Sequence, residues 1–146
     1  MNTTASGYIK LGNLRKKYFS PPQPGEKMIY FDRRNRFLGN RHEMQDQMDP
    51  VERVAVIAAF KKDLDQDFEI RGPMFEECKK LAAQVVAGER IAAYCWCKGL
   101  PNGNSSCHGD VIIDRVKQLV REVKPDHAWA NQAAEITPTQ TGFQFD

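Results

Sequence analysis

The stretch that most constrains the fold is residues 91–97, Ile-Ala-Ala-Tyr-Cys-Trp-Cys, which is apolar without alternation. A strand that is buried on both faces has this pattern, and such strands lie inside parallel sheets that helices cover. The stretch therefore predicts a parallel sheet with this strand in its interior.

The flanking segments predict the other elements of an α/β domain. Short strands are expected at 8–14 and 28–31, and helices after Asp49-Pro50, at 73–88 and at 108–123. The pattern favours a single small Rossmann-like domain over residues 1–125, with a mostly parallel sheet flanked by helices. An irregular tail follows at 126–146, where Trp129, Phe143 and Phe145 are candidates for docking on the body or on another subunit. The first helix is expected to bury the residues that recur at helical spacing, namely Val54, Ile57, Ala58, Phe60, Leu64 and Phe68.

Length and composition narrow the class of protein. The chain has 146 residues, 41% of them apolar and 27% charged, which fits one globular domain. It has no run of about 18 apolar residues, so no membrane span is expected. The polar start of the chain does not resemble a signal peptide, which predicts a cytoplasmic protein whose cysteines are thiols or metal ligands.

Three cysteines and a histidine form the candidate functional centre. Cys95 and Cys97 end the predicted buried strand, and Cys107 and His108 begin the last helix. Ligands of α/β sheets bind outside the carboxyl ends of the strands. The fold and the motif therefore predict a site in one place.

Three interpretations of this centre are open at this point. Three thiolates and one imidazole, Cys95, Cys97, Cys107 and His108, match a tetrahedral zinc site, although adjacent Cys107 and His108 are unusual as co-ligands. Alternatively, Cys107 is a reactive thiol at a helix N-terminus, with His108 as a base and Cys97 as a redox or nucleophilic partner. In the third interpretation, the cysteines simply pack the strand against the helix.

The first third of the chain is basic. Residues 1–45 carry nine Lys or Arg and three Asp or Glu, a net charge of +6, whereas residues 46–146 carry −4. Guanidinium groups bind phosphate in a bidentate way, so an arginine-rich loop and a helix N-terminus favour an anionic ligand. The alternative is that these basic side chains form a surface that contacts only solvent. The candidate phosphate- or ribose-binding residues are Arg33, Arg34, Arg36, Asn40, Arg41, Gly109 and Asp110.

Two motifs resemble the signature of an uncharacterised family, the domain of unknown function numbered 4326. They are Cys-Trp-Cys at 95–97 and Cys-His-Gly-Asp at 107–110, preceded by Arg34 and by Gly39-Asn40. The resemblance covers roughly residues 8–122. Members commonly have Pro after Gly-Asn, where this chain has Arg41, and a shorter loop between the two cysteine groups. The resemblance implies a phage or mobile-element setting but carries no activity.

Two functions of different classes follow from these observations. In the first, the protein binds a nucleotide, a nucleoside, a modified base or another anionic small molecule, and it either modifies the ligand through Cys97, Cys107 and His108 or only binds it. In the second, it is a non-enzymatic interaction module, held by structural zinc or packed cysteines, that binds nucleic acid or a host defence protein. Neither function requires a membrane, and both are compatible with an oligomer.

Overall fold

The structure, a computed structural model, describes residues 7–39, 42, 49–96 and 107–132. Two strands come first along the chain, then two helices, a third strand and a third helix. In order, they are β1 (Tyr8–Asn13), β2 (Glu26–Tyr30), α1 (Pro50–Ile70), α2 (Pro73–Val86), β3 (Arg90–Cys95) and α3 (His108–Val123). Within these residues, no helix is long and apolar enough to cross a bilayer.

The three strands form a parallel sheet in the order β1-β3-β2. The α/β domain built on a parallel sheet is thereby confirmed. Because β3 lies between the other two strands, both of its edges are hydrogen-bonded, and five of its six residues are buried. This position explains the apolar stretch. The strand ends at Cys95, two residues earlier than predicted, and Cys97 lies outside the described residues.

The two faces of the sheet have different cover. Successive side chains of a strand point to opposite faces, so Ile9, Ile91 and Ala93 share one face, where they join a core with all three helices. Lys10, Gly12, Ala92 and Tyr94 belong to the other face. There the loop after β1 crosses the sheet, with the ring of Phe19 5.2 Å from that of Tyr94.

The helix α1 begins after Asp49, as the sequence predicts. Asp49 is the N-cap of α1, and its carboxylate accepts hydrogen bonds from the backbone N–H groups of Val51 and Glu52.

The predicted buried face of α1 was wrong at Val54, which is 63% exposed, while Arg53 is only 1% exposed. Ala58 is also exposed. The helix is therefore rotated from the predicted orientation.

The packed body extends beyond α3. Trp129 and Ala130 are buried members of the core, and the Lys117 ammonium lies 5.2 Å from the centre of the Trp129 ring. The predicted docking of Trp129 is confirmed. Phe143 and Phe145 lie outside the described residues.

Candidate functional site

A crevice is expected where neighbouring parallel strands send the chain to opposite faces of the sheet. The strands β1 and β3 are such a pair. After β1 the chain crosses the face that carries Tyr94, whose hydroxyl donates a 2.6 Å hydrogen bond to the carbonyl of Ser20. After β3 the chain enters α3, whose residues pack in the core on the other face. The carboxyl ends of β1 and β3 therefore form the topological switch point.

A cavity of about 420 Å³ lies beside this switch point. Residues of β1, of β3 and of the loop after β1 form its wall. They are Lys10, Leu11, Gly12, Asn13, Tyr18, Ser20, Ala92 and Tyr94. The volume is within the range of about 300–1,000 Å³ that is usual for small-molecule sites.

Gly12 leaves room for the Tyr94 ring against β1. A Cβ atom built on Gly12 would be 2.7 Å from Cε2 of Tyr94, closer than real Cβ contacts allow. The missing side chain thus determines where the ring forms the wall of the cavity. Burial raises the pKa of the Tyr94 hydroxyl, which keeps it protonated as the donor to Ser20.

A charged network borders the cavity. The Lys10 ammonium lies 2.8 Å from Oε1 of Glu26, and the Tyr8 hydroxyl donates to Oε2 of the same carboxylate. Burial works to raise the pKa of Glu26, but the hydrogen bonds from Lys10 and Tyr8 outweigh it, and the pKa is below its ordinary value. The hydrogen bond to Glu26 also raises the pKa of Lys10. Lys10 therefore carries a positive charge at the cavity wall at neutral pH.

The predicted cysteine–histidine centre lies on the helix-covered side of the sheet. Cys107 is the N-cap of α3: its sulfur accepts a 3.3 Å hydrogen bond from the Gly109 N–H. Its own N–H donates to Oδ2 of Asp110 over 2.9 Å, which completes a capping box. The carboxylate of Asp110 is thus occupied in capping the helix.

Two sulfurs and an imidazole converge there. Sγ of Cys95 lies 2.7 Å from Sγ of Cys107, and Nδ1 of His108 lies 3.8 Å from the Cys107 sulfur. Nε2 of His108 lies 2.6 Å from the carbonyl oxygen of Phe31. Since a carbonyl only accepts, Nε2 carries the proton, and in the neutral ring Nδ1 faces Cys107 with its lone pair. All three side chains are buried.

The described residues do not test the zinc prediction. Cys95, Cys107 and His108 are close together, but the fourth predicted ligand, Cys97, lies outside the described residues. Within the described part of the chain, no three His, Cys, Asp or Glu side chains are arranged to hold a metal ion. The four-ligand set stays a prediction.

The arginine-rich segment is brought to the end of β3 by Asp32. Its carboxylate accepts hydrogen bonds from the Arg34 guanidinium and, over 2.9 Å, from the Trp96 indole N–H. The Arg34 guanidinium also lies 3.7 Å from the centre of the Tyr30 ring. Partial burial works to raise the pKa of Asp32, but these hydrogen bonds outweigh it and lower the pKa. Arg34 is therefore engaged within the protein.

The remaining predicted ligand-binding residues are in different positions. Arg33 and Arg36 are exposed on the same segment, whereas Asn40 and Arg41 lie outside the described residues. Gly109 is buried against Leu11: a Cβ atom built on Gly109 would lie 2.9 Å from the Leu11 side chain. Two predicted catalytic residues, Cys107 and His108, lie in the described part of the chain. Neither belongs to the cavity wall.

Sequence reasoning missed the residues that form the cavity. Lys10, Gly12 and Tyr94 come together because β1 and β3 pair in a register that sets Gly12 opposite Tyr94. The only local sequence signal of the cavity is Gly12, a small residue near the end of β1. This signal does not show that Tyr94 lies opposite it in the sheet.

The sequence pattern and the structure can be compared with known families. The family model described as a domain of unknown function, DUF4326, matches residues 14–118. The chain belongs to the DUF4326 family. The matched region of this DUF4326 protein contains β2, β3, the Cys95–Cys107 pair and most of α3. No curated protein and no solved structure matches the chain.

Proposed function

We propose that this DUF4326 protein binds a small anionic ligand of the nucleotide or nucleoside class in the cavity that the loop after β1 forms with the Tyr94 face of β1 and β3. The observation that carries the proposal is the position of this cavity beside the topological switch point. Open α/β sheets bind ligands at such points. A Rossmann-like binding domain would use the same place.

The chemistry of the wall supports this class of ligand. The rings of Tyr18 and Tyr94 offer aromatic surface for a planar base. The Lys10 ammonium is paired with Glu26, but its side chain is 44% exposed, so that it could also contact a phosphate in the cavity. The basic first third of the chain, with its net charge of +6, would attract an anion toward this edge of the sheet.

The proposal is for binding rather than for catalysis. Cys107 and His108 lie on the helix-covered side and are 0% and 6% exposed. A ligand in the cavity is separated from them by the sheet. Cys107 and His108 therefore do not contact a ligand bound in the cavity.

Ligand binding is tested by calorimetry and thermal shift with ATP, AMP, adenosine and inorganic phosphate. Binding of at least one of them should raise Tm, because a ligand of the native state stabilises it. Lys10→Met should weaken binding of the phosphorylated ligands by about tenfold, or roughly 1.4 kcal/mol. Lys27→Met is the matched control, since Lys27 is exposed on β2 and belongs to the opposite face. If none of the four binds, or both variants bind equally well, the proposal is wrong.

A second candidate function rests on Trp96. Its side chain is 43% exposed, its carbonyl accepts from Arg15, and Arg34 is nearby through Asp32. Aromatic and basic groups together are typical of single-stranded nucleic-acid surfaces. This function predicts that an oligonucleotide quenches tryptophan fluorescence in a strongly salt-dependent way, and that Trp96→Ala abolishes the binding. Retention of the oligonucleotide by Trp96→Ala would contradict it.

A further inference from the structure

We propose that Cys95 and Cys107 are a redox couple, which an oxidant of the peroxide class converts to an intrachain disulfide. The disulfide would tie the last residue of β3 to the N-cap of α3. This inference is independent of the ligand proposed for the cavity.

The positions of the two sulfurs carry the inference. They are 2.7 Å apart, so they need to approach by only about 0.7 Å to reach the length of a disulfide bond. Both residues are fixed by backbone hydrogen bonding, Cys95 in the central strand and Cys107 in a capping box. The pair is therefore held together by regular structure on both sides.

The surroundings of Cys107 favour it as the sulfur that reacts first. Its Sγ accepts from the Gly109 N–H at the N-terminus of α3, where the helix dipole stabilises negative charge. Nδ1 of His108, 3.8 Å away, is placed to accept the thiol proton. The Cys95 sulfur, 2.7 Å from that of Cys107, is placed to attack the oxidised Cys107 sulfur and form the disulfide.

The reaction balances with one peroxide. The Cys107 sulfur attacks the O–O bond of hydrogen peroxide, which gives a sulfenic acid and one water. The Cys95 sulfur then attacks the sulfenic sulfur, an S–S bond forms, the S–O bond breaks, and the second water leaves. Two thiols are oxidised by two electrons, and one peroxide is reduced to two waters. Hydrogen peroxide is also small, as the burial of both sulfurs requires.

Cys78 provides an internal control. It is as buried as the pair but lies on α2, and burial raises its pKa to about 12. A thiol with such a pKa reacts poorly as a nucleophile at neutral pH. Cys78 should therefore stay reduced under conditions that oxidise the pair.

The test is peptide mapping of the native full chain after treatment with hydrogen peroxide. Zinc content is measured first by elemental analysis. Cys97→Ser removes the neighbouring thiol, so that the tryptic peptides 91–98 and 99–115 each contain one cysteine. We expect a loss of two hydrogens and a cross-link between these two peptides, which dithiothreitol reverses. Cys78→Ser in the same background should cross-link equally, whereas Cys107→Ser should not.

Four results would overturn the proposal. One is a folded protein in which Cys95 and Cys107 both stay reduced after peroxide. Another is pairing of Cys107 with Cys97, rather than with Cys95, in the unsubstituted chain. The third is oxidation of Cys107 to sulfinic acid with no cross-link. The last is one zinc per chain that shields the pair from oxidation.

Discussion

His108 and Phe31 join the start of α3 to the carboxyl end of β2: the imidazole Nε2–H donates to the Phe31 carbonyl over 2.6 Å. The ring of the same histidine meets Phe60 of α1 edge to face, with 5.0 Å between the ring centres. One buried side chain thus connects the sheet edge with two helices. These contacts give the buried imidazole a structural role.

This relationship predicts that His108→Ala destabilises the fold. The variant leaves the Phe31 carbonyl without its donor and a cavity beside Phe60, and we expect a loss of about 2–4 kcal/mol in the free energy of unfolding. Urea denaturation followed by circular dichroism measures it. His42→Ala is the control: His42 pairs with Asp63 at a half-exposed position, so its loss should be about 1 kcal/mol or less. Equal losses in the two variants would contradict the structural role.

The contact between Gly12 and Tyr94 gives a second prediction. Gly12→Ala places a Cβ about where the Tyr94 ring lies, so the ring must move and its hydrogen bond to Ser20 is strained. We expect a loss of about 1–3 kcal/mol in the free energy of unfolding. It is measured in urea, together with binding of whichever ligand the calorimetry identifies.

A double-mutant cycle isolates the cause of that loss. In a Tyr94→Leu background the ring is absent, and Gly12→Ala should then be much less destabilising. If Gly12→Ala has the same effect in both backgrounds, the clash with Tyr94 is not its cause.

Much of the fold was predictable because its signals are local. Asp49 followed by Pro50 marks the start of α1 through capping chemistry that involves neighbouring residues only. The apolar stretch of β3 reports burial on both faces, which in a small α/β domain means a central strand. The rotation of α1 was not predictable in the same way. Arg53 is buried and Val54 exposed because tertiary packing overrides the apolar pattern.

The cysteine–histidine centre was predictable only in its location. The sequence indicates correctly that Cys95, Cys107 and His108 meet where a strand ends and a helix begins. The pairing of Cys95 with Cys107 depends on the path of the chain between them, and no spacing rule specifies it. The cavity depends on strand register, which is a long-range property. Whether Cys97 joins the group is a prediction that falls outside the described residues.

The capping box of α3 gives a third prediction. The Asp110 carboxylate accepts from the Cys107 N–H, so Asp110→Ala leaves that donor without a partner at a helix start. We expect Asp110→Ala to lower the free energy of unfolding by about 1 kcal/mol. Asp110→Asn should lower it much less, because the amide oxygen can still accept the hydrogen bond. Chemical denaturation of both variants measures the difference. If Asp110→Asn is as destabilising as Asp110→Ala, the hydrogen bond is not what matters at this position.

The carboxylate of Asp32 predicts a pH-dependent stability. Its pKa is lower in the folded protein than in the unfolded chain, because the hydrogen bonds from Arg34 and Trp96 outweigh its partial burial. A group of this kind contributes stability above its unfolded pKa, near 4, and the contribution is lost as the pH falls through its lower folded pKa. Asp32→Asn should therefore cost about 1–2 kcal/mol at pH 7 and progressively less below pH 4 or so.

Arg34→Gln tests whether the guanidinium is the partner that lowers the pKa of Asp32. In a double-mutant cycle with Asp32→Asn, the coupling energy should be measurable at pH 7 and should vanish when the carboxylate is protonated. Lys27→Gln removes an equally positive, exposed charge from β2 and should show no coupling with Asp32 at either pH. Unfolding in urea at several pH values gives all the terms of the cycle. A coupling with Arg34 that does not change with pH would mean that the two side chains interact through packing around Tyr30 rather than through the charge on Asp32.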